Sequence, residues 1–324
     1  MEILKESMSW GSDPVRVRAP ATSANLGPGF DSLGLALTLY DDVEVAVVPR
    51  GVAIEISGEG PELAGRGEGH LIIKTIRRTF ETINAAAGVG LEQPGLRLSC
   101  VNRIPHSRGL GSSSAAIVAG LTAARALHPY GSVLDDQAAL ALATEIEGHP
   151  DNVAPCLVGG LTIAWTRPDG PRLVRLDLEI EVVAFVPDQR LATEQARGLL
   201  PDFVSHADAA ANTARAALLI AALTSGTAGR DLGSDVLLDA TDDRLHQSYR
   251  APAMPGSAAL VDRLREAGVP AVISGAGPAV LAFTTASQVD SRDVEVGNGW
   301  HKHPLHVDLR GAHVQPPRPR DTRL

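Results

Sequence analysis

The chain has 324 residues, enough for two modest domains; 44 % are hydrophobic but only 3 % aromatic, so the core has to be built from Ala, Val, Leu and Ile. A formal net charge of −9 argues against nucleic acid or an anionic membrane as the main partner, although local arginines or a metal ion can still receive an anionic substrate. Two distant cysteines, Cys100 and Cys156, make neither a disulfide scaffold nor a metal site and suit a reducing cytoplasm.

In chain order, residues 1–13 lack the apolar run of a secretory signal and read as a disordered leader. Alternation of apolar and basic residues predicts a strand over 15–20, and further strands follow over 43–49 and 52–57. Helical spacing covers 71–87, a strand pattern 96–102, a small-residue apolar helix 115–127, and a second helix 135–147 that ends at Gly148. Residues 157–165 read as a strand. Pro168 and Gly170 then mark an expected domain junction over 166–171. Beyond it come a strand over 181–186, helices over 193–200, 207–224 and 257–267, short strands over 271–273 and 280–283, and a late strand over 305–309. The longest uncharged span, 267–289, is broken by the glycines and proline of 274–278, so it reads as strand, loop, strand and not as a membrane helix. The Pro- and Arg-rich tail from 315 to 324 is expected to be disordered. Strands and helices alternate without a strict βαβ rhythm, which favours a two-domain α+β layout.

Four segments carry candidate chemistry. PHSRGLGSSSAAI, 105–117, places Gly109, Gly111 and three serines ahead of an apolar helix. Unpaired N–H groups and the helix dipole make such an N-terminus an anion site, and the phosphates of a nucleotide are its natural ligand. It is not a P-loop, because no Lys follows Gly111, and not a dinucleotide fingerprint, because Ser114 stands where Gly is needed. Alone it would equally be a Gly-Ser cap on a core helix. ATSANLGPGFD, 21–31, brackets a tight turn with Asn25 and Asp31, where the bland alternative is a surface turn with Asp31 capping a helix. EGHPDNVAPCLVGG, 147–160, packs Glu147, His149, Asp151 and Asn152 together; the alternative is a helix end and a capped turn. His149 with the carboxylates is open as a metal site, but the spacing is not a zinc pattern and Mg²⁺ on oxygens suits a phosphate loop better. SGAGPAV, 274–280, sets a glycine pair between apolar strands: a close backbone approach or a plain hairpin.

Together these motifs resemble the GHMP kinase superfamily, in order and over most of 15–311. The ATSANLGPGFD opening is similar to that of the homoserine kinases, as are HPDNVAP, Thr193-Glu-Gln-Ala-Arg197 and Arg244-Leu-His-Gln-Ser-Tyr-Arg250. Three positions depart from the pattern: Ser114 for a usual Ala, His70 for an Asn ahead of the adenine-side helix, and Ser248 for a common Pro.

The resemblance implies a two-domain GHMP kinase fold. Its N-terminal, ATP-binding domain over 14–166 would be like the second domain of ribosomal protein S5, and its C-terminal domain over 172–311 ferredoxin-like. It implies ATP-dependent phosphorylation of the side-chain hydroxyl of L-homoserine, for threonine biosynthesis, by a cytoplasmic enzyme; dimers are common in the family. ATP would lie on Pro105, Arg108, Gly109, Leu110, Gly111, Ser112, Ser113 and Ser114, with Gly275 and Gly277. Mg²⁺ would be held by Ser113 and Glu147. The amino-acid substrate would meet Asn25, Asp31, His149, Asn152, Arg197 and Arg250: a carboxylate for its ammonium group and guanidinium forks for its carboxylate. Asn152 would orient the reacting hydroxyl. Asp151 is the positional candidate for a catalytic base, but loose phosphoryl transfer needs little base help, so it is expected to be structural. Two competing readings are a GHMP kinase for another alcohol, such as mevalonate or a sugar, and a silent nucleotide-binding protein. The paired charges of Asp31 and the arginines disfavour the first, and the intact metal ligands the second.

Overall fold

The computed structural model describes residues 10–225, 232–284 and 291–316. Their strands form two sheets. The first contains β1 (Val15–Ala24), β2 (Leu33–Val48), β3 (Val52–Gly58), β4 (Gly95–Asn102), β5 (Leu161–Arg167), β6 (Gly170–Leu176) and β11 (His313–Val314); its main path runs β11-β1-β2-β4-β3, with β5 and β6 continuing from the other end of β2. The second contains β7 (Glu181–Pro187), β8 (Ala271–Ile273), β9 (Val280–Phe283) and β10 (Trp300–His306), in the order β10-β7-β9-β8. Every pairing in it is antiparallel, and this fourth-first-third-second order is the expected ferredoxin-like one.

The helices of the first half are α1 (Leu71–Ala87), α2 (Ser112–Leu127), α3 (Asp136–Glu147) and α4 (Pro150–Val158). On α1 the buried Ile72, Ile73, Ile76, Phe80 and Ile83 form one helical face. Against it lies α2, buried nearly all round because its residues are small; a Cβ on Gly120 would stand 3.0 Å from the Ile72 carbonyl oxygen, so the two helices are in backbone contact there. The second half carries α5 (Thr193–Arg197), α6 (His206–Ser225), α7 (Ser234–Ala240), α8 (Gln247–Arg250) and α9 (Pro255–Glu266).

Several expectations are corrected. The first strand runs on to Ala24, with Pro20 accommodated at a register shift between Pro20 and Ala21. The strand expected over 43–49 is the far end of the 16-residue β2, whose apolar first half pairs with both β1 and β5. The segment expected as a strand over 157–165 begins as the end of α4, and the strand starts only at Leu161. The helix expected over 193–200 stops at Arg197. The junction expected over 166–171 is the turn of the β5–β6 hairpin, which remains in the first sheet. The late strand expected over 305–309 straddles both sheets: β10 ends at His306, and Val307 already bridges Leu37. Of the leader, residues 10–13 are described, and Trp10 is packed on Phe80 and His128 with ring centroids 4.5 and 4.8 Å apart. Residues 1–9 and most of the expected tail, 317–324, lie outside the described residues, while Gln315 N donates to the Arg16 carbonyl. No described helix is long and apolar enough to cross a membrane.

Candidate active site

A cleft of about 350 Å³ runs between the two sheets. One end is lined by Leu63, His70, Asn102, Pro105 and His106, the middle by the glycine loop, and the other end by Asp151, Arg197 and Arg250. Burial keeps both wall imidazoles below their ordinary proton affinity; Arg66 and His106 add to this at His70, and Arg190 and Arg108 at His106, where Glu59 and Glu62 oppose it.

The middle is built by the loop from β4 into α2. Gly109 (φ 79°) and Gly111 (φ 69°) take left-handed conformations that only glycine adopts without strain. A Cβ on Gly111 would overlap Thr22 Oγ1, and one on Gly109 would overlap the Ser274 carbonyl. The backbone approach expected at 274–280 is therefore made by this loop itself: Ser274 Oγ lies 2.6 Å from Gly109 O, and Ala279 N donates to Arg108 O at 3.0 Å. Gly275 lines the cleft, whereas Gly277 packs on Met254 and Ile273. Arg108 points its guanidinium at the carbonyls of His106, Pro187 and Asp188.

Where α2 begins, the Ser113 hydroxyl donates to both carboxylate oxygens of Glu147, at 2.6 and 2.8 Å, and the buried Ser114 hydroxyl lies 2.8 Å from Oε1. Glu147 is the last residue of α3, which Gly148 closes with φ 95°. The polar segment that follows is helical. Pro150 sits in the first turn of α4, where a missing N–H costs nothing, and this turns Asp151 and Asn152 inward. Asp151 is 1 % exposed and hydrogen-bonded to His149 Nδ1. Burial opposes protonation of His149, but the hydrogen bond and charge of Asp151 outweigh it and raise its proton affinity. Asn152 Oδ1 accepts from Thr22 Oγ1 at 2.7 Å, leaving its amide group to donate elsewhere.

The turn between β1 and β2 brings in the remaining groups. Asn25, Leu26 and Asp31 have positive φ, a strain held by surrounding bonds. Asn25 Nδ2 donates to Gly275 O at 2.9 Å, and its Oδ1 accepts from Asp31 N. Asp31 receives a two-pronged ion pair from Arg197 at 2.6 and 3.1 Å. Arg250, only 1 % exposed, has neutral partners: the carbonyls of Ala196 and Gly275, each at 3.3 Å, and His246 Nδ1 at 3.2 Å. Burial, then the neighbouring Arg197, lowers its pKa from the ordinary arginine value.

All the expected site residues except Gly277 are thus placed on or directly behind this cleft. Sequence reasoning missed Thr22, Phe30, Asn212 and His246. Phe30 lies under both guanidinium groups, with Cζ–centroid distances of 5.9 Å for Arg197 and 5.4 Å for Arg250. Asn212 Nδ2 donates to Pro28 O at 2.6 Å. The only sequence signal for these residues was membership of segments already singled out, which Asn212 lacked.

Family profiles agree with this architecture: that of the GHMP kinases N terminal domain matches residues 70–160 and that of the GHMP kinases C terminal matches 219–294. The fold is that of a GHMP kinase. A homoserine kinase of Streptomyces avermitilis is 55 % identical over 93 % of this chain and 96 % of its own, and one of Streptomyces coelicolor is 54 % identical over 93 % and 94 %. A solved homoserine kinase structure from Cytophaga hutchinsonii superposes with a TM-score of 0.76 at 26 % identity, covering 97 % of this chain and 100 % of that one. The mevalonate kinase of L. major, at 14 % identity and a TM-score of 0.63 over 95 % and 100 %, shares the fold. The chain belongs to the homoserine kinase family.

Proposed function

We propose that this chain transfers the γ-phosphoryl group of ATP to the side-chain hydroxyl of L-homoserine, giving O-phospho-L-homoserine for threonine biosynthesis. The observation that carries the reading is the charge layout at one end of the cleft. A buried Arg250 without a carboxylate partner stands beside the Asp31–Arg197 pair. A zwitterionic amino acid supplies what this layout lacks: its carboxylate meets the arginines and its ammonium group meets Asp31.

The glycine loop and the first turn of α2 would hold the triphosphate by their N–H groups. Ser113 and Glu147 offer only hard oxygens, a hydroxyl against a carboxylate, which is the donor set Mg²⁺ takes when phosphate oxygens and water complete its shell. They would hold that ion, which when bound neutralises charge on the phosphates. Asn152, fixed through Thr22, would orient the acceptor hydroxyl. His149, whose proton affinity is raised by Asp151 against the opposing effect of burial, would in its protonated form add positive charge near the transferred group. We place the division between domains after Leu176 instead of at 166–171, with the C-terminal strand returning to the first domain. The buried free cysteines suit the cytoplasm.

An ADP-release assay with Mg²⁺-ATP tests the reading against homoserine, serine, threonine, mevalonate and galactose. Turnover of homoserine alone is expected, and Arg197→Ala should raise its KM about 10- to 100-fold with the KM for ATP unchanged. Turnover of mevalonate or galactose would keep the nucleotide site and discard the charge clamp. Turnover of none would favour a silent nucleotide-binding protein.

A further inference from the structure

His246 lies outside the cleft wall and is fully buried. Its Nε2 is 2.8 Å from the Gly27 carbonyl, which can only accept, so Nε2 carries the proton. The Nδ1 lone pair is therefore free to accept from Arg250 Nη1 at 3.2 Å. Burial lowers the proton affinity of this ring, although Asp243 opposes that, which keeps Nδ1 an acceptor. The ring also stacks on Phe30, with centroids 5.2 Å apart and planes at 27°. Asp243 receives the backbone N–H groups of Leu245, His246 and Gln247, and so holds the start of the short helix that bears Arg250.

One imidazole thus joins two parts of the molecule: the turn that presents Asp31 and the helix that presents Arg250. We propose that His246 is a positioning residue that sets the distance and angle between the ammonium-binding carboxylate and the carboxylate-binding Arg250, and thereby determines specificity for an α-amino acid. The inference rests on the homoserine reading above. The alternative is that His246 merely fills the core. The two differ because a core filler affects all acceptors alike, whereas a group acting through Arg250 affects only acceptors that carry a carboxylate.

The test uses the full-length protein with L-homoserine and with 3-aminopropan-1-ol, which has the same amine and hydroxyl but no carboxylate. In the wild type, homoserine should be preferred. His246→Phe keeps the stacking and removes both polar contacts. It should raise the KM for homoserine by about 10- to 100-fold, leave the KM for ATP within about 3-fold, and reduce the preference for homoserine over aminopropanol by a similar factor. Should that variant fail to fold, His246→Asn and His246→Gln decide. The Asn oxygen stands near the Nδ1 position and can still accept from Arg250, whereas the Gln amide nitrogen reproduces the Gly27 contact only, so the preference should survive better in Asn than in Gln. Equal losses for both acceptors in His246→Phe, or an equal preference in the Asn and Gln variants, would overturn the inference alone. A wild type without homoserine turnover would overturn the substrate reading and the inference with it.

Discussion

At the scale of single residues, Asp41 illustrates what burial does to a carboxylate. It lines the cleft, and its Oδ1 accepts the N–H groups of Arg103 and Ile104 at 2.6 and 2.9 Å. Burial nevertheless outweighs those bonds and lifts its pKa from 3.8 to about 6. Between those two values the folded chain holds the proton that the unfolded chain has released, so stability falls as pH rises through this window. Above it the buried charge is a standing cost. Asp41→Asn keeps the accepting oxygen and removes the charge; it should be more stable by roughly 1–3 kcal/mol at pH 7.5 and should lose the slope between pH 4 and 6. Urea unfolding at pH 4.5 and 7.5 measures both, and an unchanged slope would refute the assignment. Asp151, also buried, is engaged by His149. If it positions His149 and is no base, Asp151→Asn should lower kcat by less than about tenfold, since phosphoryl transfer through a loose transition state leaves a base little to do. A loss of three orders of magnitude with an intact thermal transition would make it the base.

Among the elements, the loop between β4 and α2 and the end of β1 are interlocked, and substitutions in one should be felt in the other. Gly111 is the tightest point. An alanine there meets the left-handed penalty, about 1–2 kcal/mol, and its Cβ displaces Thr22 Oγ1, which holds Asn152. Gly111→Ala should therefore reduce kcat as well as ATP affinity, by about 100-fold in kcat/KM for ATP; a change in ATP affinity alone would mean that the Thr22–Asn152 contact is dispensable. The glycine loop was legible in the sequence because its glycines and serines stand beside an apolar helix. α4 was not, because two prolines within nine residues read as a loop, although Pro150 occupies the one place where a helix welcomes it. The first half of β2 escaped because it carries apolar residues on both faces and shows no alternation. Arg250 is the hardest case. The resemblance supplied its role, but no pattern in the residues announces that an arginine will be the largest fully buried side chain.

The whole molecule is held together by contacts that cross from one sheet to the other. Gly275 N donates to Ala24 O and Leu191 N to Ser107 O, and after β10 the chain itself crosses back, Val307 bridging Leu37. The Pro-Gly turn at which a domain junction was expected marks a change of direction, which here is a hairpin within one sheet. The Asp31–Arg197 ion pair belongs to this scale as well, since its partners lie 166 positions apart in the chain. In this pair each charge serves as the other's counter-ion. A visitor with only an amine can reach Asp31 only by taking it from Arg197, and leaves that guanidinium bare. A molecule bearing both exchanges one pair for two and leaves nothing exposed. On the proposed reading the site therefore favours two charges arriving together on one small body over an amine alone.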